Sequence, residues 1–234
     1  MSSSPTAPTS TTGSSTSSPS IEVIACGALA AHIREIAARR GWPLVVRPLP
    51  ARLHNRPEKI PEYSERARSS ARTVLAYADC GTYGKLDEFP RLPGLHCYDV
   101  YAGEEQIAKL LEEEPGTYLL TDYLVRTFDR TVVKSLGLDK HPELWPDYFA
   151  HYKRLVWLAQ APTPALEAEA QRIATLFALP LTTIPTGLAG LESALADLLA
   201  RGPVSPRANR AGPVAHRANS YDRVGATGVE TDQK

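Results

Sequence analysis

Cys26, Cys80 and Cys97 are the cysteines of this chain, and each closes a short apolar run: Ile-Ala-Cys-Gly, Ala-Asp-Cys-Gly and Leu-His-Cys-Tyr. Thiolates are soft ligands for zinc, copper(I) and iron–sulfur clusters, and three of them leave one coordination position open for a substrate or water. An open position belongs to catalysis or exchange, whereas a structural site is closed. Gly27 and Gly81 follow two of the thiols and permit tight turns with close approach of the backbone to a ligand. The chain has no Cys-x-x-Cys pair, so the local spacing of a zinc ribbon or ferredoxin is absent. Set against this, free cysteine is among the most buried residue types, and the plain reading of each thiol is a small core residue.

Polar residues repeat the same placement at run ends. His54 and Asn55 stand in Leu-His-Asn-Arg-Pro-Glu, Asp79 and Thr82 flank Cys80, His96 precedes Cys97, and Thr121 and Asp122 close Tyr-Leu-Leu-Thr-Asp. His54 fits a fourth metal ligand or a general acid/base with a pKa near neutrality. The expected roles are therefore metal ligation by Cys26, Cys80 and Cys97, and proton transfer or ligand orientation by His54 and Asp122. Substrate contacts are expected from Gly27, Asn55, Gly81, Thr82 and Thr121. Helix capping is the competing reading for Thr121 and Asp122, and a structural role is the competing reading for His54. A Cys80–His54 nucleophile pair is a weaker option, because the neighbouring Asp79 raises a thiol's pKa unless a cation offsets it.

Other motifs fail. Cys80-Gly81-Thr82-Tyr83-Gly84-Lys85 lacks phosphate-loop spacing, and no Gly-x-Gly-x-x-Gly occurs. The aromatic residues Trp145, Tyr148, Phe149, Tyr152 and Trp157 read as core or lid. Glu112 to Glu114 reads as a solvated helix end.

Short β-rich runs alternate with longer amphipathic segments, which predicts an α/β fold. Strands are expected at Ile21–Cys26, Leu44–Pro48, Thr73–Ala78, Leu95–Tyr98, Thr117–Thr121, Arg154–Ala159 and Leu181–Ile184. Helices are expected at Ala28–Arg40, Ile60–Ser70, Gln106–Glu114, Leu124–Leu136, Pro164–Phe177 and Leu188–Leu199. Helices between strands point to a three-layer, mostly parallel sheet of about six to seven strands, covered by helices on both faces. All three cysteines then lie near carboxyl ends of strands, the edge where open parallel sheets bind ligands.

The remaining composition bounds the reading. The chain has 234 residues, 43% of them hydrophobic, and 26 basic residues balance 26 acidic ones. No overall field favours nucleic acid or an acidic membrane, and a small-molecule substrate remains the expected partner. No apolar stretch approaches the roughly 18 to 20 residues that span a bilayer. An odd, small cysteine count suits a reducing, cytoplasmic setting. Residues 1–20, rich in Ser, Thr and Pro without charge, and residues 201–234, with scattered apolar residues, read as disordered tails around a single domain at 21–200.

Five segments, Ile-Ala-Cys-Gly-Ala-Leu, Leu-His-Asn-Arg-Pro-Glu, Tyr-Ala-Asp-Cys-Gly-Thr, Gly-Leu-His-Cys-Tyr and Gly-Thr-Tyr-Leu-Leu-Thr-Asp, resemble a bacterial and archaeal family, the domain of unknown function 1638, over roughly Ile21 to Leu199. The matching positions include Cys26, His54, Asn55, Cys80, Thr82, Cys97 and Asp122; Ala78 departs from the glycine expected there. The resemblance implies a cytosolic prokaryotic protein and an association with corrinoid methyl-transfer proteins in one-carbon metabolism. The expected function is a metal-dependent transferase or lyase acting on a small molecule, with zinc or an iron–sulfur cluster as cofactor. The alternatives are a non-catalytic metal or cofactor carrier, and an interaction protein whose cysteines are structural.

Overall fold

The computed structural model describes residues 20–202. Most of the expected tails, 1–20 and 201–234, therefore lie outside the described residues. The chain opens with strand β1 (Ile21–Cys26), helix α1 (Ala30–Arg40) and strand β2 (Leu44–Leu49). Tight helical turns at Ala51–Asn55 and Pro57–Lys59 lead into α2 (Ile60–Ala67) and β3 (Thr73–Ala76). After a strand-free loop come α3 (Cys97–Ala102), α4 (Glu104–Glu113), β4 (Thr117–Thr121) and α5 (Asp122–Phe128). A wide turn at Asp129–Val133 then precedes α6 (Trp145–Phe149), β5 (Arg154–Ala159), α7 (Pro164–Phe177), β6 (Leu181–Pro185) and α8 (Ala189–Arg201).

Local chemistry explains the boundaries. β1 and β5 bury every residue but the first, the near-continuous burial of a parallel strand covered on both faces. α1 stops at Gly41, whose φ of 65° lets its N–H reach back to the carbonyls of Ala37 and Ala38. α7 starts where Thr163 Oγ1 accepts from Leu166 N–H and Pro164 occupies the first turn.

The strands form two three-stranded sheets, ordered β2-β1-β3 and β4-β5-β6, and every pair is parallel. The α/β class thus stands, but the strands divide between two sheets where one of six to seven was expected. The expected strand at Leu95–Tyr98 is the point of difference. Gly94 turns the chain at φ 91°, and Asp99 accepts from the N–H groups of Leu95 and His96, so this run becomes the entry to α3. The free edge of β3 is met by a loop: Leu75 N–H donates to Pro90 O at 2.8 Å and Leu92 N–H donates to Leu75 O at 3.2 Å. Pro90 and Pro93 flank this contact, which suits a loop better than a ladder.

One core surrounds the first sheet and includes Val23, Ile24, Leu29, Ile33 and Leu75. A second, around Leu120, Phe128, Leu155, Trp157 and Phe177, belongs to the other sheet. All of the expected aromatic cluster but the exposed Tyr148 is part of it, with Trp145 and Phe149 ring centroids 4.6 Å apart and both packed on Phe177. The two halves are laced together. α8 returns from the second sheet to bury Leu191, Leu195 and Leu198 in the first core, and α3 packs against both α8 and β5. α8 approaches α3 so closely that a side chain at Gly190 would meet the backbone oxygens of Val100 and Tyr101 at 2.7 and 2.9 Å. Among the described residues no helix is long and apolar enough to cross a membrane.

Candidate functional site

Each of the three thiols is delivered by a different device. Cys26 is the last residue of β1 and is buried, with the N–H groups of Ala28 and Leu29 turned toward its sulfur. The turn beyond it requires glycine, because a Cβ at Gly27 would lie 2.6 Å from Leu49 O. Cys80 sits in the loop after β3 with φ 52°, a left-handed conformation unusual for a non-glycine residue. That conformation is held by neighbours: Cys80 N–H donates to Leu95 O at 2.7 Å and Asp79 N–H donates to Gly94 O at 3.0 Å. The Asp79 carboxylate accepts from Gly84 N–H, Tyr83 N–H and the Thr82 hydroxyl at 2.8, 3.0 and 3.2 Å. Cys97 is the first residue of α3, not part of a strand.

These devices bring the thiols into one neighbourhood. Burial is the main force pushing each thiol's pKa up, and each ionised partner adds to it: Cys26 acts on Cys80, and both act on Cys97. Asp79 further opposes ionisation of Cys80 and Asp99 opposes that of Cys97, while Arg91 eases Cys80. Burial also raises the Asp79 carboxyl, but the amides of Gly84 and Tyr83, with Arg91 and Thr82, outweigh it and hold the group below its usual range. As they stand, no three His, Cys, Asp or Glu side chains among the described residues are arranged to hold a metal ion.

Tyr77, just past β3, completes this neighbourhood. It is 2% exposed, and its hydroxyl is one of two buried side-chain polar atoms without a hydrogen-bond partner among the described residues. Burial and then the nearby Cys26, Cys80 and Cys97 push its pKa far up. The Cys26 thiol lies beside the hydroxyl, but not in a hydrogen bond of ordinary geometry. The hydroxyl is thus buried among the thiols with only the Cys26 contact beside it.

A second buried pair adjoins the thiols. His32 on α1 and Tyr101 on α3 share a hydrogen bond of 2.8 Å between Nδ1 and Oη, with the rings edge to face. Burial, then Cys97, Cys26 and Asp122, raise the Tyr101 pKa; burial lowers that of His32 against the pull of Asp122 and Glu35.

Beside the thiols lies a cavity of about 360 Å³, lined by residues of both halves. His54, Asn55 and His96 form polar wall; Ile107, Leu111, Leu124 and Val132 form apolar wall; Tyr98, Tyr118 and Tyr152 supply aromatic faces. Tyr98 joins cavity to thiols, since Cys97 and Cys80 on one side and Tyr118 and Tyr152 on the other add to the burial that raises its pKa. More than a third of His54 is accessible, yet protein surrounds it, because its open face is toward the cavity. Burial and then His96 lower its pKa, so the imidazole is neutral at pH 7.

The remaining expected residues are placed differently. Thr121 caps α5, accepting from Leu124 N–H at 3.4 Å. Asp122 is fully buried and accepts from Trp157 Nε1, Gln160 N–H and Ala161 N–H at 2.9, 3.1 and 2.7 Å, a fixed brace at the carboxyl edge of the second sheet. Thr82 is spent inside its own turn, donating to Asp79 O at 2.8 Å. Gly81 takes φ 78° against Pro57. The structure therefore gathers Cys26, Cys80 and Cys97, with His54 and Asn55 across the adjoining cavity, and leaves Thr121 and Asp122 outside it. Sequence reasoning passed over Tyr77, His32, Tyr98 and Tyr101. One signal was present: Cys97 and Tyr101 are four apart on one helix, hence on one face.

Residues 48–195 match the family described as protein of unknown function (DUF1638). No curated protein and no solved structure matches the chain.

Proposed function

The chain belongs to the family described as protein of unknown function (DUF1638), and from that premise we propose that it acts on a small molecule through a soft-metal centre held by Cys26, Cys80 and Cys97. The observation that carries this reading is the neighbourhood of three coupled thiols around the unpartnered Tyr77 hydroxyl. Thiolate is the ligating form. With burial, each other, Asp79 and Asp99 all opposing ionisation, the thiols keep their protons until a cation supplies the missing positive charge. The donor set suits zinc or an iron–sulfur cluster. Ligation asks the thiols to turn toward a common point on fixed backbones, since they do not meet in a ligating arrangement now.

When bound, such a group supplies thiol activation for alkyl transfer if zinc, or Lewis-acid lyase chemistry if a cluster. The chain's own residues do the rest. His54, neutral and facing the cavity, offers one ring nitrogen to accept a proton and the other to donate one. Tyr77 Oη would donate a hydrogen bond to a ligating thiolate sulfur, with Cys26 beside it, and Tyr98 walls the small molecule away from water. Methyl transfer with a corrinoid-carrying partner belongs to this reading as one such alkyl transfer. The burial of Cys26 favours a second reading, thiols as core residues.

One experiment separates the two: metal and acid-labile sulfide content of protein purified without oxygen, wild type against a Cys26→Ser/Cys80→Ser/Cys97→Ser variant. Near-stoichiometric zinc or iron, lost in a folded variant, is the expected outcome. Wild-type protein that stays metal-free through reconstitution would overturn the reading.

A further inference from the structure

Asn55 belongs to the wall of the cavity beside the thiols. That residue also lines a second cavity of about 340 Å³, and Ser135 of the second wall immediately precedes Leu136 of the first in the chain. The second cavity has the opposite chemistry. Arg52, Arg56, Lys59 and Arg66 line it against a single carboxylate, Glu62. Glu62 is engaged by Arg66 at 2.8 Å and by Lys59 at 4.0 Å. Arg52 and Arg56 have no ion-pair or hydrogen-bond partner for their guanidinium groups among the described residues. A protein of zero net charge thus concentrates unneutralised cations at one mouth.

The inner cavity carries no Asp, Glu, Lys or Arg in its wall, and its aliphatic and tyrosine faces suit an apolar or aromatic body. Its volume falls at the small end of the roughly 300–1,000 Å³ range of small-molecule sites. A guanidinium that is free to move presents a planar fork to carboxylate or phosphate. We propose that the two cavities form one site for a small organic oxyanion, with its apolar or aromatic body in the inner cavity and its carboxylate or phosphate on Arg52 and Arg56. Asn55, shared by both, lies at the junction of the two parts. This inference names the substrate class of the proposed function and rests on that reading for the ligand's being a substrate; binding itself does not use the thiols.

The test is calorimetric titration of the full chain with four probes: phenyl phosphate, benzoate, inorganic phosphate and benzyl alcohol. One of the two aromatic oxyanions is expected to bind at least tenfold more tightly than both inorganic phosphate and benzyl alcohol, and the tighter of them identifies the headgroup. Arg52→Ala/Arg56→Ala removes two exposed side chains with no structural partner and should bring that affinity down to the level of benzyl alcohol. Leu111→Trp, which fills the inner cavity, should bring it to the level of inorganic phosphate. Equal binding of charged and neutral probes, or a double variant that binds like wild type, would overturn the proposal. Titrating the triple Cys→Ser variant keeps the two readings apart. Probe binding by a wild type without metal content would sink the thiol centre alone, and a wild type with metal content but no probe binding would sink the oxyanion site alone.

Discussion

Replacing Tyr77 with Phe should stabilise the metal-free protein, although it removes a polar group from a site. The hydroxyl is buried and makes no hydrogen bond, so it bears the desolvation cost of an unsatisfied group, about 1–3 kcal/mol. The Phe variant recovers that cost and leaves an atom-sized void of roughly 10 Å³, worth about 0.2 kcal/mol at some 24 cal/mol per Å³. Allowing for the weak contact with the Cys26 thiol, the net gain is about 1–2 kcal/mol. For a chain of this size that is roughly 2–8 °C in melting temperature. Urea and thermal unfolding of chelator-treated wild type and Tyr77→Phe measure it directly. Added zinc should then stabilise the wild type by more than the variant, because a ligand that binds the native state through more contacts binds it more tightly. A metal-free variant less stable than wild type by 1 kcal/mol or more would show that the hydroxyl has a partner in solution. The support that this hydroxyl lends to the proposed thiol centre would fail with it.

Two further predictions concern the frame around the site. Glu22 on β1 is held by Arg47, by Ser69 N–H and Oγ, and by Thr73 Oγ1, and although burial opposes its charge these bonds lower its pKa from 4.5 to about 2. A depressed carboxyl contributes stability that is whole above pH 4.5 and is lost as pH falls toward 2; that lowering corresponds to about 3.4 kcal/mol, discounted to about 2 kcal/mol because Arg47 is half exposed to solvent. Unfolding of Glu22→Gln across that pH range should show a flatter profile than wild type, and an unchanged slope would refute the assignment. Asp122→Ala strands two buried donors, Trp157 Nε1 and Gln160 N–H, and the partly exposed Ala161 N–H, and should cost about 3 kcal/mol in a urea titration. A loss below about 1 kcal/mol would mean that the carboxylate is not the brace described.

Much of the frame was legible because strands buried on both faces advertise themselves. Ile21–Cys26, Thr117–Thr121, Arg154–Ala159 and Pro164–Phe177 begin and end where the apolar runs and caps place them. Leu95–Tyr98 misled because a four-residue apolar stretch does not reveal that Asp99 will fold back on two amides of the same run. Without that strand nothing extends the first sheet past β3, and the division into two sheets follows. At the site, Cys26 was legible as the residue before glycine at a strand end, whereas Cys80, also before glycine, lies in the loop beyond β3 and not at the end of the expected strand Thr73–Ala78. The convergence of Cys97 with them was expected, though from the wrong element. Hydrogen-bond debts are not written in residue types: Asp122 looked available and is saturated, whereas Tyr77, unremarked within the expected strand Thr73–Ala78, carries the unmet hydroxyl. Net charge hid the cationic mouth for a similar reason, since a sum over 234 residues says nothing about Arg52 and Arg56 standing together.

The return of α8 to the first sheet has a consequence for the order in which the protein can be made. Leu191, Leu195 and Leu198 are among the last described residues to emerge from a ribosome, yet they cover a core begun by Val23 and Ile24. At roughly 5–20 residues per second, the interval between the two is on the order of ten seconds or more. For that time the first sheet exists without its lid, and the paired strands around Cys26 and Tyr77 stay open to chaperones, oxidants and incoming metal alike. Nascent chains halted before residue 189 should therefore show these thiols reacting freely, and chains extended past residue 201 should show them shielded.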